Sequence, residues 1–126
     1  EKYPIDPKIR GDLILNLELK RNGSTLLAQV SGELDLSTSP VFREQIETEL
    51  EQYGNIQHLI LDFTDTKFVD SSGLGAILGR YKTISQRGGR LSAVNVPPHL
   101  QRLFELSGLL KVMTIYPSLQ EAQNKI

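Results

Sequence analysis

One stretch of the chain carries residue types spaced for chemistry: Phe68-Val69-Asp70-Ser71-Ser72-Gly73-Leu74-Gly75. Two hydroxyls follow a carboxylate and precede two glycines, at a point where a loop is expected to turn into a helix. The first turn of a helix has N–H groups without intrahelical acceptors and a partial positive charge, so it accommodates a phosphate group well. Asp70 is placed to cap that helix. Gly73 and Gly75 present almost no side chain, so another protein's backbone or active site can approach Ser71 and Ser72 closely. The same spacing fits a plainer arrangement, in which a capping Asp precedes a serine-rich helix start and the glycines allow close helix–sheet packing. Each glycine costs about 1 kcal/mol against alanine inside a helix, and Gly79, one turn further on, adds another small position.

Other chemistries match less well. Gly73-x-Gly75-x-x-x-Gly79 follows a strand and opens a helix, as a dinucleotide-binding loop does, but its third glycine is one position late. The next strand ends Val94-Asn95-Val96-Pro97, without the acidic residue that would hold a ribose. No Gly-Lys-Ser/Thr phosphate loop occurs. The two histidines, His58 and His99, make no obvious nucleophile–base pair, and no Gly-x-Ser-x-Gly elbow exists. With no cysteine in the chain, disulfides, thiolate catalysis and cysteine-ligated metal centres are excluded. Asp62, Asp65 and Asp70 are close enough in sequence to attract a divalent ion, or to act as loop and capping carboxylates. Arg87-Gly88-Gly89-Arg90 reads as a turn with solvated charges. The chain is therefore not expected to be an enzyme or to hold a cofactor of its own.

The elements that must position this segment follow from periodicity. An extended N-terminal segment (1–12) with Pro4 and Pro7 precedes a single domain (13–126). Leu13, Leu15, Leu17 and Leu19 alternate with Ile14, Asn16 and Glu18 as in a strand. Asn22-Gly23 makes a hairpin turn, and a second strand from about Thr25 to Ser31 ends at Gly32-Glu33-Leu34-Asp35. Ser39 ahead of Pro40 reads as a helix N-cap, with Phe42, Ile46, Leu50 and Tyr53 on one face until Gly54. His58 to Phe63 is an apolar run suited to a central strand covered on both faces, and Thr64 to Val69 reads as a loop. From Asp70 a helix buries Leu74, Ile77, Leu78, Tyr81 and Ile84 and ends near Gly88-Gly89. Arg90 to Val96 is another buried strand. Pro97-Pro98 starts a helix with Leu100, Leu103, Phe104 and Leu106 inward, closed by Gly108. Lys111 to Tyr116 is an edge strand, and Ser118 with Glu121 has capping-box spacing. A hairpin followed by alternating helix and strand implies an α/β fold, a mixed sheet on one side with helices packed against the other.

Length and composition agree with this. The chain has 126 residues, 39% hydrophobic and 23% charged, the range of an ordinary globular domain with a real core. A net charge of −1 leaves no basic footprint for nucleic acid. No apolar run approaches the roughly 20 residues that span a bilayer, and the opening EKYPIDPKIR does not read as a signal peptide. A cytoplasmic protein, with no membrane and no direct nucleic-acid partner, is expected.

Phe68 to Lys82 (FVDSSGLGAILGRYK) resembles the signature of the STAS domain, and specifically of the bacterial anti-sigma factor antagonists, sporulation-type or stress-response. Gly32-Glu33-Leu34-Asp35 resembles the end of that family's early strand. Leu103-Phe104-Glu105-Leu106-Ser107-Gly108-Leu109 resembles its later helix and turn, so the likeness covers nearly the whole chain. The resemblance implies a phosphorylation switch. The unphosphorylated protein would bind an anti-sigma factor with serine-kinase activity and free the sigma factor. That kinase would phosphorylate Ser71, and a PP2C-type phosphatase would reverse the step. ATP would belong to the partner, so no cofactor is implied here. Asp35 matches a partner-facing aspartate, and the partner surface would comprise Asp35, Asp70, Ser71, Ser72, Gly73, Leu74 and Gly75. The alternative within the same fold is a STAS sensor module that binds a nucleotide or small molecule. A hydrolase using Ser71 would need a base that the sequence does not supply.

Overall fold

A computed structural model describes residues 15–124 of the chain. The N-terminal segment 1–12, and Leu13 and Ile14 of the expected first strand, lie outside the described residues. Strand β1 (Asn16–Asn22) pairs antiparallel with β2 (Thr25–Leu34) across a two-residue turn. Asn22 itself pairs with Thr25, so the positive φ of 61° falls on Gly23. There follow α1 (Ser39–Gln52), β3 (His58–Val69), α2 (Ser71–Gln86), β4 (Arg90–Val94) and α3 (Pro98–Ser107). A 3-10 turn (Leu109–Lys111), β5 (Thr114–Tyr116) and α4 (Leu119–Gln123) complete the chain. The sheet runs β1-β2-β3-β4-β5, with every pairing after the first parallel. Parallel neighbours require crossovers, and right-handed crossovers progressing in one direction place their helices on one face.

That face carries the main core. Leu26, Ala28 and Val30 of β2, Leu59, Leu61 and Phe63 of β3, and Leu91 and Ala93 of β4 meet the helices there. Phe42, Ile46 and Leu50 of α1, Ala76, Ile77 and Ile84 of α2, and Leu100 and Phe104 of α3 come from the other side. Phe63 and Phe104 pack edge to face, their centroids 5.3 Å apart. The helices are not confined to one side, however. Leu27, Ile60 and Val94 point the opposite way and are covered by Ala122 and Leu119 of α4. This is why Leu59 to Leu61 is apolar without interruption: Leu59 and Leu61 meet the helices of one layer and Ile60 meets α4 on the other.

Several expectations are corrected. Thr64 to Val69 is not a loop but the second half of β3, pairing with Ser31 to Leu34. The register slips between Gln29 and Ser31 and again between Gly32 and Glu33, so the two-residue alternation that marks a strand is broken. Gly32 takes φ 98° at the second slip, which a residue with a Cβ rarely adopts. Thr66 is buried there and donates its hydroxyl to the Val30 carbonyl at 2.6 Å. The cap of α1 is Thr38 rather than Ser39, because the chain from Asp35 to Ser39 folds into a turn that begins the helix one residue early. On α2, Leu78 is exposed and Arg80 is buried instead; on α3, Leu106 faces out. The expected last strand begins only at Thr114, after the 3-10 turn.

Candidate functional site

The Asp70 segment sits where β3 passes into α2, beside the loop that joins β2 to α1. Asp70 is extended (φ −102°, ψ −171°) and caps α2 as expected, its Oδ1 accepting from the Gly73 N–H at 2.9 Å. Its other oxygen accepts from the Leu36 N–H at 3.2 Å, and its own N–H donates to the Leu34 carbonyl at 3.1 Å. One carboxylate therefore holds a helix start and a loop 34 positions earlier in the chain together.

Ser71 and Ser72 are the first two residues of α2. Ser71 is exposed and Ser72 half-buried. The glycines divide in their roles. Gly73 is buried, and a Cβ there would collide with the Leu34 carbonyl oxygen and come within 2.9 Å of Val69 Cγ1. It serves close packing of α2 on the sheet, the plainer of the two roles that its spacing allows. Gly75 is exposed, and a Cβ there would meet nothing within 4 Å. Leu74 is half-buried and, with Gly75 and Leu78, forms one wall of a shallow recess of about 380 Å³ whose other wall is Ser107 to Leu109, Lys111 and Val112.

Asp35 lies in the neighbouring loop, but its carboxylate is engaged at home. Oδ1 accepts from the Ser37 N–H (3.0 Å), the Ser37 hydroxyl (2.9 Å) and the Thr38 N–H (3.1 Å). The Ser37 hydroxyl bond, opposed by desolvation and reinforced by the bonds to Thr38 and the Ser37 backbone, holds the carboxyl below its ordinary value of 3.8. The Thr38 hydroxyl accepts from the Asp35 N–H at 2.9 Å and donates to the Glu33 carbonyl at 2.8 Å. Asp35 is thus a builder of this loop, whatever else it touches.

The remaining candidates fall into structural places. His58 opens β3 and lies 2.7 Å from Ser92 Oγ through Nε2, a serine–histidine contact that reading the chain did not foresee. Both residues are buried and Nδ1 has no hydrogen-bond partner. Burial, with the charge of Arg90 adding to it, lowers the His58 pKa from 6.5 to about 4. His99 sits at the other end of β3, Nε2 donating to the Lys67 carbonyl at 3.0 Å. Asp62 is occupied by Thr64 and Asn95, and Asp70 by its cap. Among the described residues no three His, Cys, Asp or Glu are grouped to hold a metal ion. Arg87 is not merely solvated: Nη2 donates to the Leu50 carbonyl at 2.8 Å and Nη1 to that of Tyr53 at 3.3 Å, closing the end of α1. No helix among the described residues is long and apolar enough to cross a membrane.

Comparison with known proteins fits this geometry. Residues 16–122 match the STAS domain. An anti-sigma F factor antagonist of Paenibacillus polymyxa is 43% identical over 102 residues, 81% of this chain and 86% of that protein. An anti-sigma-B factor antagonist of Bacillus subtilis (strain 168) is 31% identical over 101 residues, covering 80% of this chain and 90% of that protein. The solved structure of the Bacillus cell fate determinant SpoIIAA in its phosphorylated form superposes with a TM-score of 0.69 at 30% identity, over 87% of this chain and 98% of that one.

Proposed function

The chain belongs to the STAS domain family, among the anti-sigma factor antagonists, and from that membership we propose that Ser71 is the switch by which it controls binding to an anti-sigma factor. The unphosphorylated protein binds the anti-sigma factor and so releases a sigma factor. A serine kinase, the anti-sigma factor itself, phosphorylates Ser71 and ends the complex; a PP2C-type phosphatase restores it. The observation that carries this reading is the exposed hydroxyl of Ser71 at the first position of a helix already capped by Asp70. Phosphorylation adds about −1.5 to −2 charges and three acceptor oxygens. At a helix N-terminus the local N–H groups and dipole tolerate that charge, so the fold survives. The cost falls on the docking surface, which becomes bulkier and more acidic beside Asp70. Each ~1.4 kcal/mol of lost binding is about tenfold in affinity, so a modest mismatch suffices. ATP is the kinase's ligand, and this chain needs no catalytic group or cofactor of its own.

The test is incubation with an anti-sigma factor kinase and ATP, followed by intact-mass measurement and fragmentation. One phosphate is expected, on Ser71. Ser71→Ala should bind the partner and stay unlabelled, Ser72→Ala should still be labelled, and Ser71→Asp should bind poorly. Labelling confined to Ser72, or full labelling of Ser71→Ala, would refute the assignment.

A further inference from the structure

Resting on the function proposed above, we infer that Leu36 is the apolar anchor by which the chain docks on its anti-sigma factor, with Asp35 and Asp70 acting as positioning residues. Leu36 is 75% exposed, yet the backbone that carries it is tightly held. Every backbone N–H from Asp35 to Ser39 has an acceptor. These are Thr38 Oγ1 for Asp35, Asp70 Oδ2 for Leu36, Asp35 Oδ1 for Ser37 and Thr38, and the Asp35 carbonyl for Ser39. The Ser39 hydroxyl adds a bond to that same carbonyl at 2.6 Å. Binding anchors are large side chains whose backbone is ordered in advance, because little conformational freedom is then lost on association.

Position points to the same partner as Ser71. The Asp70 carboxylate that grips the Leu36 N–H is the one that caps the helix beginning at Ser71. Leu36 and the phosphate acceptor therefore flank a single side chain. Two of the other exposed large apolar residues lie near this loop or Asp70 in the chain. Val41 follows this loop in the first turn of α1, and Phe68, 49% exposed, lies two residues before Asp70 on β3. A pre-ordered, exposed apolar side chain next to a polar switch is suited to protein binding. The occupant it fits is a partner surface with an apolar socket for one leucine, closing over Ser71. Burying Leu36 requires water to leave the ground beside Ser71, and a hydrated phosphate dianion resists that desolvation. The anchor and the switch thereby act on one binding event.

The experiment measures affinity for the purified anti-sigma F factor of Paenibacillus polymyxa and, separately, the anti-sigma-B factor of Bacillus subtilis. It compares wild type, Leu36→Ala, Leu106→Ala and Ser71→Asp, with melting temperature as a check on folding. Leu106 is equally exposed at 76% but lies on α3. Leu36→Ala is expected to lose roughly tenfold to a hundredfold in affinity with its melting temperature unchanged, while Leu106→Ala stays within about twofold. In phosphorylation kinetics Leu36→Ala should raise KM and leave kcat alone, the signature of lost docking rather than lost chemistry. If Leu36→Ala binds within about twofold of wild type while Ser71→Asp does not bind, the anchor is overturned and the switch stands. If the variant instead changes only the self-association of the chain, the leucine serves contacts between copies and the anchor is again overturned. If unphosphorylated wild type binds neither anti-sigma factor, the function reading fails and takes this inference with it.

Discussion

Gly73 and Gly75 are two residues apart and look alike in the motif, but their surroundings set opposite outcomes for the same substitution. Gly73→Ala forces a methyl into the Leu34 carbonyl and Val69, an overpacking that should cost roughly 1–3 kcal/mol. Gly75→Ala adds a methyl to open space and removes a helix penalty of about 1 kcal/mol, so it should raise the melting temperature slightly. Paired denaturation curves and partner titrations separate the two. Gly73→Ala is expected to lower the unfolding midpoint, whereas Gly75→Ala is expected to keep or gain stability while binding its partner less well. A Gly75→Ala protein that melts early would mean that the small residue is needed for packing. Asp70 shows why single-residue roles are hard to assign from type alone. It caps one element and fastens another, so its removal loses more than the ~1 kcal/mol of an ordinary cap.

At the scale of elements, α1 and α2 are joined by a buried ion pair. Arg80 Nε lies 2.9 Å from Glu47 Oε2, with only 6% of its side chain exposed, and the Thr83 hydroxyl donates to the same carboxylate oxygen at 2.7 Å. Burial lowers the pKa of the guanidinium and the Glu47 carboxylate works against that shift. Removing one partner of a fully buried pair costs about 3–5 kcal/mol. Glu47 is 27% exposed, so Glu47→Ala should cost somewhat less, roughly 1–3 kcal/mol. Chemical denaturation of Glu47→Ala beside Glu47→Gln would check it; no loss in Glu47→Ala would show that Arg80 finds another partner. Much of this architecture was legible where a local cause was sufficient. Asp70 caps onto Gly73, Ser118 accepts from Glu121, Pro98 opens α3, and each could be read within four residues of chain. What escaped needed distant parts of the chain. The far half of β3 is hidden by slips in register against β2. Arg80 occupies a core position yet reads as a solvent-facing charge, because its partner is on another helix. Leu36 carries no sequence signal at all: it stands out only once a carboxylate from beyond β3 is seen to hold its backbone.

For the molecule as a whole, His58 sets an acid limit on stability. Its folded pKa, about 4, lies below the unfolded value of 6.5. Between these values the unfolded chain binds the proton and the folded chain does not, so stability rises with pH across the window and is lost as pH falls from 6.5 toward 4. The full effect is on the order of 3 kcal/mol, since each tenfold change in proton affinity is worth ~1.4 kcal/mol. His58→Gln should flatten that part of the unfolding free energy against pH, and a variant curve as steep as wild type would place the titration elsewhere. The strand order has a different consequence. Because β1 to β5 lie in the sheet in the order in which they occur in the chain, each strand is added at the edge left by the one before. A ribosome releases them in that order, so no gap must be held open for a strand not yet synthesised. The Asp70 clasp uses only β2, the loop after it, β3 and the start of α2. The switch can therefore take shape on the nascent chain while α3, β5 and α4 are still to be made.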